Sequence, residues 1–303
     1  MSVTLAEHGR LKTVLVKHAR DAFVSEDLIA RQWRPLNFSE PPDLGKAIAE
    51  YESLLEIVAG CGADILFLPP TGGVTLDSIY ARDASIASAG GVIAASMGKE
   101  LRAEEPGAQE SALRGLGWPI AGSITLPGRV EGGDLVWLDA RTLAVGLGAR
   151  TNPEGIRQLR VLLGDSFDDV TVVPLPEYAG RHDVMHLMSL VSPVDADLAV
   201  VYPRLLPERF RRWLADRGYR FVDVPDDEFE SMGTNVLALG PRDCVMLEGN
   251  PRTRAALEKA GARVQVYAGR EISLKGGGGP TCLTRPLMRL ESANPRIREW
   301  SIT

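Results

Sequence analysis

The sequence predicts an α/β protein assembled from repeated hairpin–helix units, and three observations carry that expectation. Short apolar runs alternate with amphipathic helical stretches along the chain, the pattern of a mixed α/β fold. Three of the helical stretches open on a proline, at Pro153, Pro207 and Pro251, and proline is favoured in a first helical turn because its missing N–H would be unpaired there anyway. Polar residues stand in front of successive hairpins at intervals of roughly fifty residues, a period that signals a modular fold.

The elements follow in order. Runs rich in Val, Ile and Leu predict strands over Thr13–Val16, Ala63–Leu68, Leu135–Leu138, Thr142–Val145, Val170–Val173, Leu198–Val201, Asn235–Leu239 and Cys244–Leu247, each short and bounded by turn residues. Helical spacing predicts Leu44–Ala59, Pro153–Leu163, Pro207–Arg217 and Pro251–Ala260. Four stretches read as polar residue, hairpin, helix, starting at Arg82, Glu131, His186 and Gly233. The heads of the hairpins are Asp83, Asp134, His186, Asn235 and Cys282. Even spacing suggests a closed ring of modules, in which the heads of the inner strands converge on one axial site. A single domain over residues 1–303 is expected.

Composition excludes several classes. The chain has 303 residues, 45% of them hydrophobic, 24% charged, and a net charge of -6. That balance, with no run of like charge, does not suit phosphate neutralisation, so no nucleic-acid partner is expected. A cationic small molecule is the more natural ligand. No stretch reaches the roughly 20 apolar residues that span a bilayer, and the N-terminal stretch has no continuous apolar run of the kind a secretory leader needs. Three cysteines without a leader point to a reduced, cytoplasmic setting. No phosphate-cradling G-x-x-x-x-G-K loop occurs, so no nucleotide cofactor is expected, nor any other. The sequence leaves a homodimer open.

One cysteine stands apart. Cys282 follows Gly276–Gly279 and Pro280-Thr281. Four glycines cost backbone entropy and are tolerated mainly where the chain bends sharply or approaches something closely. A cysteine just after that bend is placed like a nucleophile, whereas Cys61 and Cys244 sit in apolar surroundings that suit core thiols. A thiol nucleophile needs a proton partner. Of the four histidines, His186 holds the repeat position that should meet Cys282. His182 and His186 have the spacing of a helical metal pair, but the glutamate of the metalloprotease motif is missing and the segment leads into a strand, so no metal is expected. The acids of Glu131-Gly-Gly-Asp134 and Asp77–Asp83 could each be turn residues; together, one per repeat position, they read as an acidic ring around the cysteine.

At this point the motifs become specific. Tyr80-Ala-Arg-Asp83, Glu131-Gly-Gly-Asp134, Gly148–Asn152, His186-Leu-Met, Gly233-Thr-Asn235 and Gly276–Cys282, in this order and spacing, resemble the guanidino-group-modifying enzymes: dimethylarginine dimethylaminohydrolases, arginine deiminases and glycine amidinotransferases. The resemblance runs from about Leu11 to Met288. It implies a five-bladed, pseudo-symmetric α/β propeller of ββαβ modules, the pentein fold. It implies Cys282 as nucleophile and His186 as acid/base, with Glu131 and Asp83 holding the guanidinium and Asp77 a further substrate acid. Arg102 and Arg150 match the pair that grips a substrate carboxylate. The implied reaction is hydrolysis through a covalent thiouronium, giving citrulline and an amine.

Two positions decide the expected substrate. Deiminases and amidinotransferases carry an aspartate two residues after the histidine, where this chain has Met188; a flexible apolar side chain suits an alkylated nitrogen better. Arg82 stands where the dimethylarginine branch has glutamate and the deiminases have arginine, so it leans the other way, while Thr281 leans back. The expectation is an Nω-methylated arginine, with a deiminase, an amidinotransferase, or a non-catalytic binder of arginine-like ligands as alternatives. The lid is expected in the glycine-rich loop or between Ala22 and Pro42.

Overall fold

The computed structural model describes residues 2–177 and 185–291. His182 lies outside them.

The chain enters through β1 (Val3–Thr4) and β2 (Arg10–Val16), passes through helices α1 (Ala19–Phe23), α2 (Glu26–Gln32) and α3 (Leu44–Gly60), and returns in β3 (Asp64–Phe67), parallel to β2. Four further units repeat one pattern. Each has two antiparallel strands, a helix, and a third strand parallel to the second. They are β4 (Ser85–Ser88), β5 (Gly91–Ala94), α4 (Glu105–Gly115) and β6 (Ile120–Ser123); β7 (Leu135–Trp137), β8 (Thr142–Leu147), α5 (Pro153–Leu163) and β9 (Asp169–Pro174); β10 (Val191–Asp195), β11 (Leu198–Val201), α6 (Glu208–Asp216) and β12 (Arg220–Asp223); and, after the short α7 (Asp226–Phe229), β13 (Val236–Gly240), β14 (Asp243–Leu247), α8 (Pro251–Lys259) and β15 (Arg263–Tyr267). The last strand, β16 (Thr284–Leu290), pairs antiparallel with β2 and completes the first unit from the other end of the chain. Five ββαβ modules result, and the sequence period is their length.

Local chemistry explains the elements. Asn152 accepts a hydrogen bond from the Gly155 amide at 2.8 Å and caps α5, with Pro153 next in line. Ile156, Leu159 and Leu163 recur at helical spacing and are its buried face. Strands β11 and β13 are buried along their whole length, which is why they read as continuous apolar runs rather than alternating ones. Strands of neighbouring modules pack on one another: β10 on β13, β13 on β2, and β16 on β4. One expectation is corrected here. His186 does not head a strand directly, because Leu187–Ser189 forms a 3₁₀ turn and β10 starts at Val191. The Leu187 amide donates to Asp134 Oδ1 at 3.0 Å and the His186 amide to Ser189 Oγ at 3.3 Å, and these bonds take the place of ladder pairing.

Candidate active site

The first-strand ends open onto one cavity. It leaves about 130 Å³ for the centre of a water-sized sphere, where one water needs roughly 10–15 Å³, so a molecule of amino-acid size fits. Asp83, His186, Asn235 and Cys282, four of the five hairpin heads, line it, together with Asp77, Lys99, Arg102 and Arg150. The fifth head, Asp134, is wholly buried and accepts hydrogen bonds from Thr151 Oγ1 (2.6 Å) and the Leu187 amide. It holds the His186 turn in place.

His186 lies between two carboxylates. Its Nε2 is 2.8 Å from Glu131 Oε2 and its Nδ1 is 3.8 Å from Asp83 Oδ1. Burial by itself would lower its pKa; the charges of Asp83, Asp134 and Glu131 outweigh burial and lift it to about 9. The ring is therefore an imidazolium at neutral pH. Glu131 is fully buried yet stays ionised: burial opposes the charge, but His186, Arg150 and Arg102 overcome it and hold its carboxyl below the usual range. Its oxygens also accept from the Gly98 amide at 2.7 Å and from Arg150 Nη1 at 3.0 and 3.2 Å.

Asp83 is the asymmetric group. Its Oδ2 accepts from Arg102 Nη1 at 2.7 Å; among the described residues its buried Oδ1 has no hydrogen-bond partner and faces His186 Nδ1 at 3.8 Å. A buried carboxylate oxygen without a hydrogen bond is costly, and this one belongs to a cavity-lining residue. The cysteine thiol is half-buried. Burial first, then the charge of Asp83, raises its pKa; the bond from Asn235 Nδ2 (3.4 Å) and the contact with Thr281 Oγ1 (3.9 Å) oppose the rise only in part. Close approach demands glycine here: a Cβ on Gly133 would lie 2.6 Å from His186 Nδ1 and 2.8 Å from Asp83 Oδ1. At Gly279 it would lie 2.6 Å from the Asn235 side chain.

Asp83, Glu131 and His186 bring donor atoms within 4.8 Å of one another, a spacing a cation could use. The two imidazole nitrogens, however, face different carboxylates, and Glu131 is already committed to Arg150 and Gly98. The arrangement describes a proton-holding array better than a metal cage.

The expected site residues divide into three sets. Cys282, His186, Asp77, Asp83 and Arg150 face the cavity, with Glu131 directly behind His186. Arg102 faces it too, but its guanidinium is held by Glu105 (2.9 and 2.8 Å), Asp83 and the carbonyls of Asp77 and Tyr80. Arg82 and Met188 do not line it, which corrects the expectation that both meet the substrate. Arg82 turns away because its Nε bonds the Thr281 carbonyl at 2.8 Å and its Nη atoms pair with Glu7. Met188 is packed in the apolar core with Val191 and Val236. Between Ala22 and Pro42, Leu36 and Asn37 form cavity wall.

Sequence reasoning missed Lys99 and Glu105. Lys99 Nζ donates to Asp77 Oδ2 at 2.6 Å and to the Leu36 carbonyl at 2.9 Å. Both residues sit in a polar segment without periodicity, and only the fold turns their side chains inward. Asn235 was legible as a hairpin head, but its bond to the thiol was not.

Known proteins identify the family and the fold. Residues 25–289 match the family model for N,N-dimethylarginine dimethylhydrolase, eukaryotic. The Bacillus subtilis protein YkgA is 26% identical over 242 residues, 80% of either chain. Arginine deiminase of Mycobacterium marinum is 32% identical over 190 residues, 53% of this chain and 46% of the deiminase, so the chain spans about half the length of that relative. Among solved structures, a variant of the Pseudomonas aeruginosa dimethylarginine dimethylaminohydrolase complexed with citrulline superposes with a TM-score of 0.72 at 24% identity, over 91% of this chain and 98% of that one. The five-module architecture is thus the pentein fold. Among the described residues no helix is long and apolar enough to cross a membrane.

Proposed function

The chain belongs to the N,N-dimethylarginine dimethylhydrolase family, within the guanidino-group-modifying pentein superfamily, and on that premise we propose that it hydrolyses the guanidino group of an Nω-methylated arginine to citrulline and methylamine or dimethylamine. The observation that carries this reading is Asp83 Oδ1, which among the described residues accepts no hydrogen bond, in a cavity shared with Cys282 and His186. A guanidinium N–H supplies what that oxygen lacks. Arg150, whose Nη1 is engaged by Glu131, and Lys99, whose Nζ already serves Asp77 and the Leu36 carbonyl, are cavity-lining cations that a substrate carboxylate would share with those partners.

The chemistry follows from the charges. In the empty site Cys282 is a thiol, because burial and Asp83 disfavour its anion. A docked guanidinium offsets Asp83 and favours the thiolate, the thiol proton passing to solvent because His186 is already protonated. The sulfur attacks the guanidinium carbon and a C–S bond forms. His186, already protonated, gives its proton to the leaving amine as the C–N bond breaks. The thiouronium remains on Cys282. His186 then takes a proton from water, the hydroxide adds to the same carbon, the C–S bond breaks, and citrulline leaves. Glu131 and Asp134 keep the imidazole charged and oriented.

Deimination of arginine itself is the second reading. It is favoured by the position of Met188, which lies in the core and offers nothing to an N-methyl group. Met185, Phe229 and Met232 in the wall provide apolar surface instead. Mass spectrometry after separate incubation with asymmetric dimethylarginine, monomethylarginine and arginine, beside Cys282→Ser, decides. Citrulline with methylamines, absent in the variant, is the expected result. Citrulline with ammonia from arginine alone makes the protein a deiminase, and no product from any of the three refutes both readings.

A further inference from the structure

Behind the Cys282 loop, away from the catalytic cavity, three arginines are buried against one carboxylate. Arg82, Arg285 and Arg289 are 1%, 4% and 3% exposed. Glu7 pairs with Arg82 at 3.2 Å. Arg285 donates through Nη2 to the Arg82 carbonyl at 2.6 Å, and Arg289 through Nη1 to the carbonyls of Gly9 (2.6 Å) and Ala238 (2.8 Å). Among the described residues, Arg285 Nε and both Nε and Nη2 of Arg289 have no hydrogen-bond partner. The same two arginines, with Glu7, Arg82, Trp137 and Met288, line a small cavity that leaves about 10 Å³ for the centre of a water-sized sphere.

Three guanidiniums facing one carboxylate leave an excess of positive charge in a place shielded from water. Asp83, the next carboxylate, acts on Arg285 only through space, with its Oδ2 bonded to Arg102 and its side chain lining the catalytic cavity. Arginine does not readily resolve such a conflict by losing its proton, although burial and the neighbouring arginine push Arg285 down to about 9, and burial is also the main cause that brings Arg289 to about 10. An unpaired buried charge is costly. A water would satisfy the N–H groups but not the charge.

We infer that this cavity is a binding site for a small monovalent anion of the halide class, chloride in ordinary buffers, held by Arg285 and Arg289. Room for about one water excludes phosphate, sulfate and carboxylate ligands. The site also reaches the nucleophile's loop. Arg82 Nε holds the Thr281 carbonyl, its backbone amide donates to the Cys282 carbonyl at 3.1 Å, and Arg285 holds the Arg82 carbonyl. An anion that fixes Arg285 therefore steadies the backbone carrying Cys282.

Two measurements test this. Crystals grown in sodium bromide should show an anomalous peak within hydrogen-bonding reach of Arg285 and Arg289. In solution, replacing gluconate by chloride or bromide at constant ionic strength should raise the unfolding temperature along a saturating curve, as binding to the folded state requires. Arg289→Met should abolish the halide response, and Glu7→Gln, which removes the competing carboxylate, should saturate at lower bromide. If Arg289→Met does not fold, the bromide peak and the Glu7→Gln shift decide. No anomalous peak together with equal stability in gluconate and chloride overturns the inference.

Discussion

Replacing Glu131 with glutamine removes one charge and almost no volume, so it isolates what that carboxylate does for His186. The wild-type imidazole titrates at about 9 although its burial alone would place it below 6.5. The Glu131 bond is a 2.8 Å charge-assisted contact, of a kind worth about 1.5–3 kcal/mol. At about 1.4 kcal/mol per pKa unit, its loss should bring His186 down to between about 7 and 8. Arg150, left without its partner, pushes the same way. The assay is a proton–carbon NMR titration of the imidazole Cε1–H; with four histidines in the chain, His186→Asn assigns the signal. Stability should follow with a defined sign. The folded pKa is raised, so the stabilising contribution, about 3 kcal/mol, is complete below pH 6.5 and disappears as pH rises through 9. In Glu131→Gln the decline should end near pH 7–8, and the variant should unfold at lower urea at pH 6.5. The acid limb of the rate profile should keep its shape while the alkaline limb moves inward. An unchanged His186 titration in a folded Glu131→Gln protein would refute the reasoning and leave Asp83 and Asp134 as the groups that set it.

Further outcomes follow from the same geometry. Alkylation of Cys282 by iodoacetamide in the free protein should rise with pH beyond the ordinary thiol range, since burial and Asp83 raise its pKa; a bound guanidinium inhibitor that blocks covalent attack should lower the midpoint of any residual reaction, and an unmoved midpoint counts against activation by substrate. Gly133→Ala should reduce kcat at least about 10²-fold while the protein stays folded by circular dichroism, because the new Cβ occupies the space of His186 Nδ1 and Asp83 Oδ1; near-normal kcat would show that the pair tolerates displacement. Asp134→Asn should lower the His186 pKa and loosen its turn, and an unaltered titration would contradict that role. Met188→Leu should leave the ratio of kcat/KM for dimethylarginine and arginine within about twofold, as a volume-conserving core change does; a large change in the ratio would put Met188 back in the substrate's path.

The charge pattern of the cavity connects these expectations. Nearly every ionised group there is matched: Asp77 with Lys99, Glu131 with Arg150 and His186, Asp83 with Arg102, and Arg102 with Glu105. Burial raises Glu105 to about 7 in spite of Arg102, so the Arg102 clamp should weaken near neutrality as this acid takes a proton. Among the described residues Asp83 Oδ1 accepts no hydrogen bond, with His186 Nδ1 3.8 Å away.

By itself the sequence determined the five-module α/β architecture, because hydrophobic period, prolines at helix starts and the fifty-residue repeat are local signals that burial enforces. It also pointed Asp83, Asp134, His186, Asn235 and Cys282 to a common centre, since equivalent positions in a repeated module converge; four of them line the cavity, and Asp134 is buried behind it. Only the tertiary structure decided where side chains turn. Arg82 follows Ala81 in the cavity's own motif, yet Glu7, 75 residues earlier, draws its guanidinium away. Met188, two residues after His186, is turned into the core by a 3₁₀ turn whose amide partner, Asp134, comes from the preceding module. Lys99 and Glu105 carry no periodic or motif signal, and their roles arise from partners at 77, 36 and 102 that the fold brings within hydrogen-bond distance. Pairings of this kind depend on distances between modules, and distances between modules are set by packing, which local sequence does not encode.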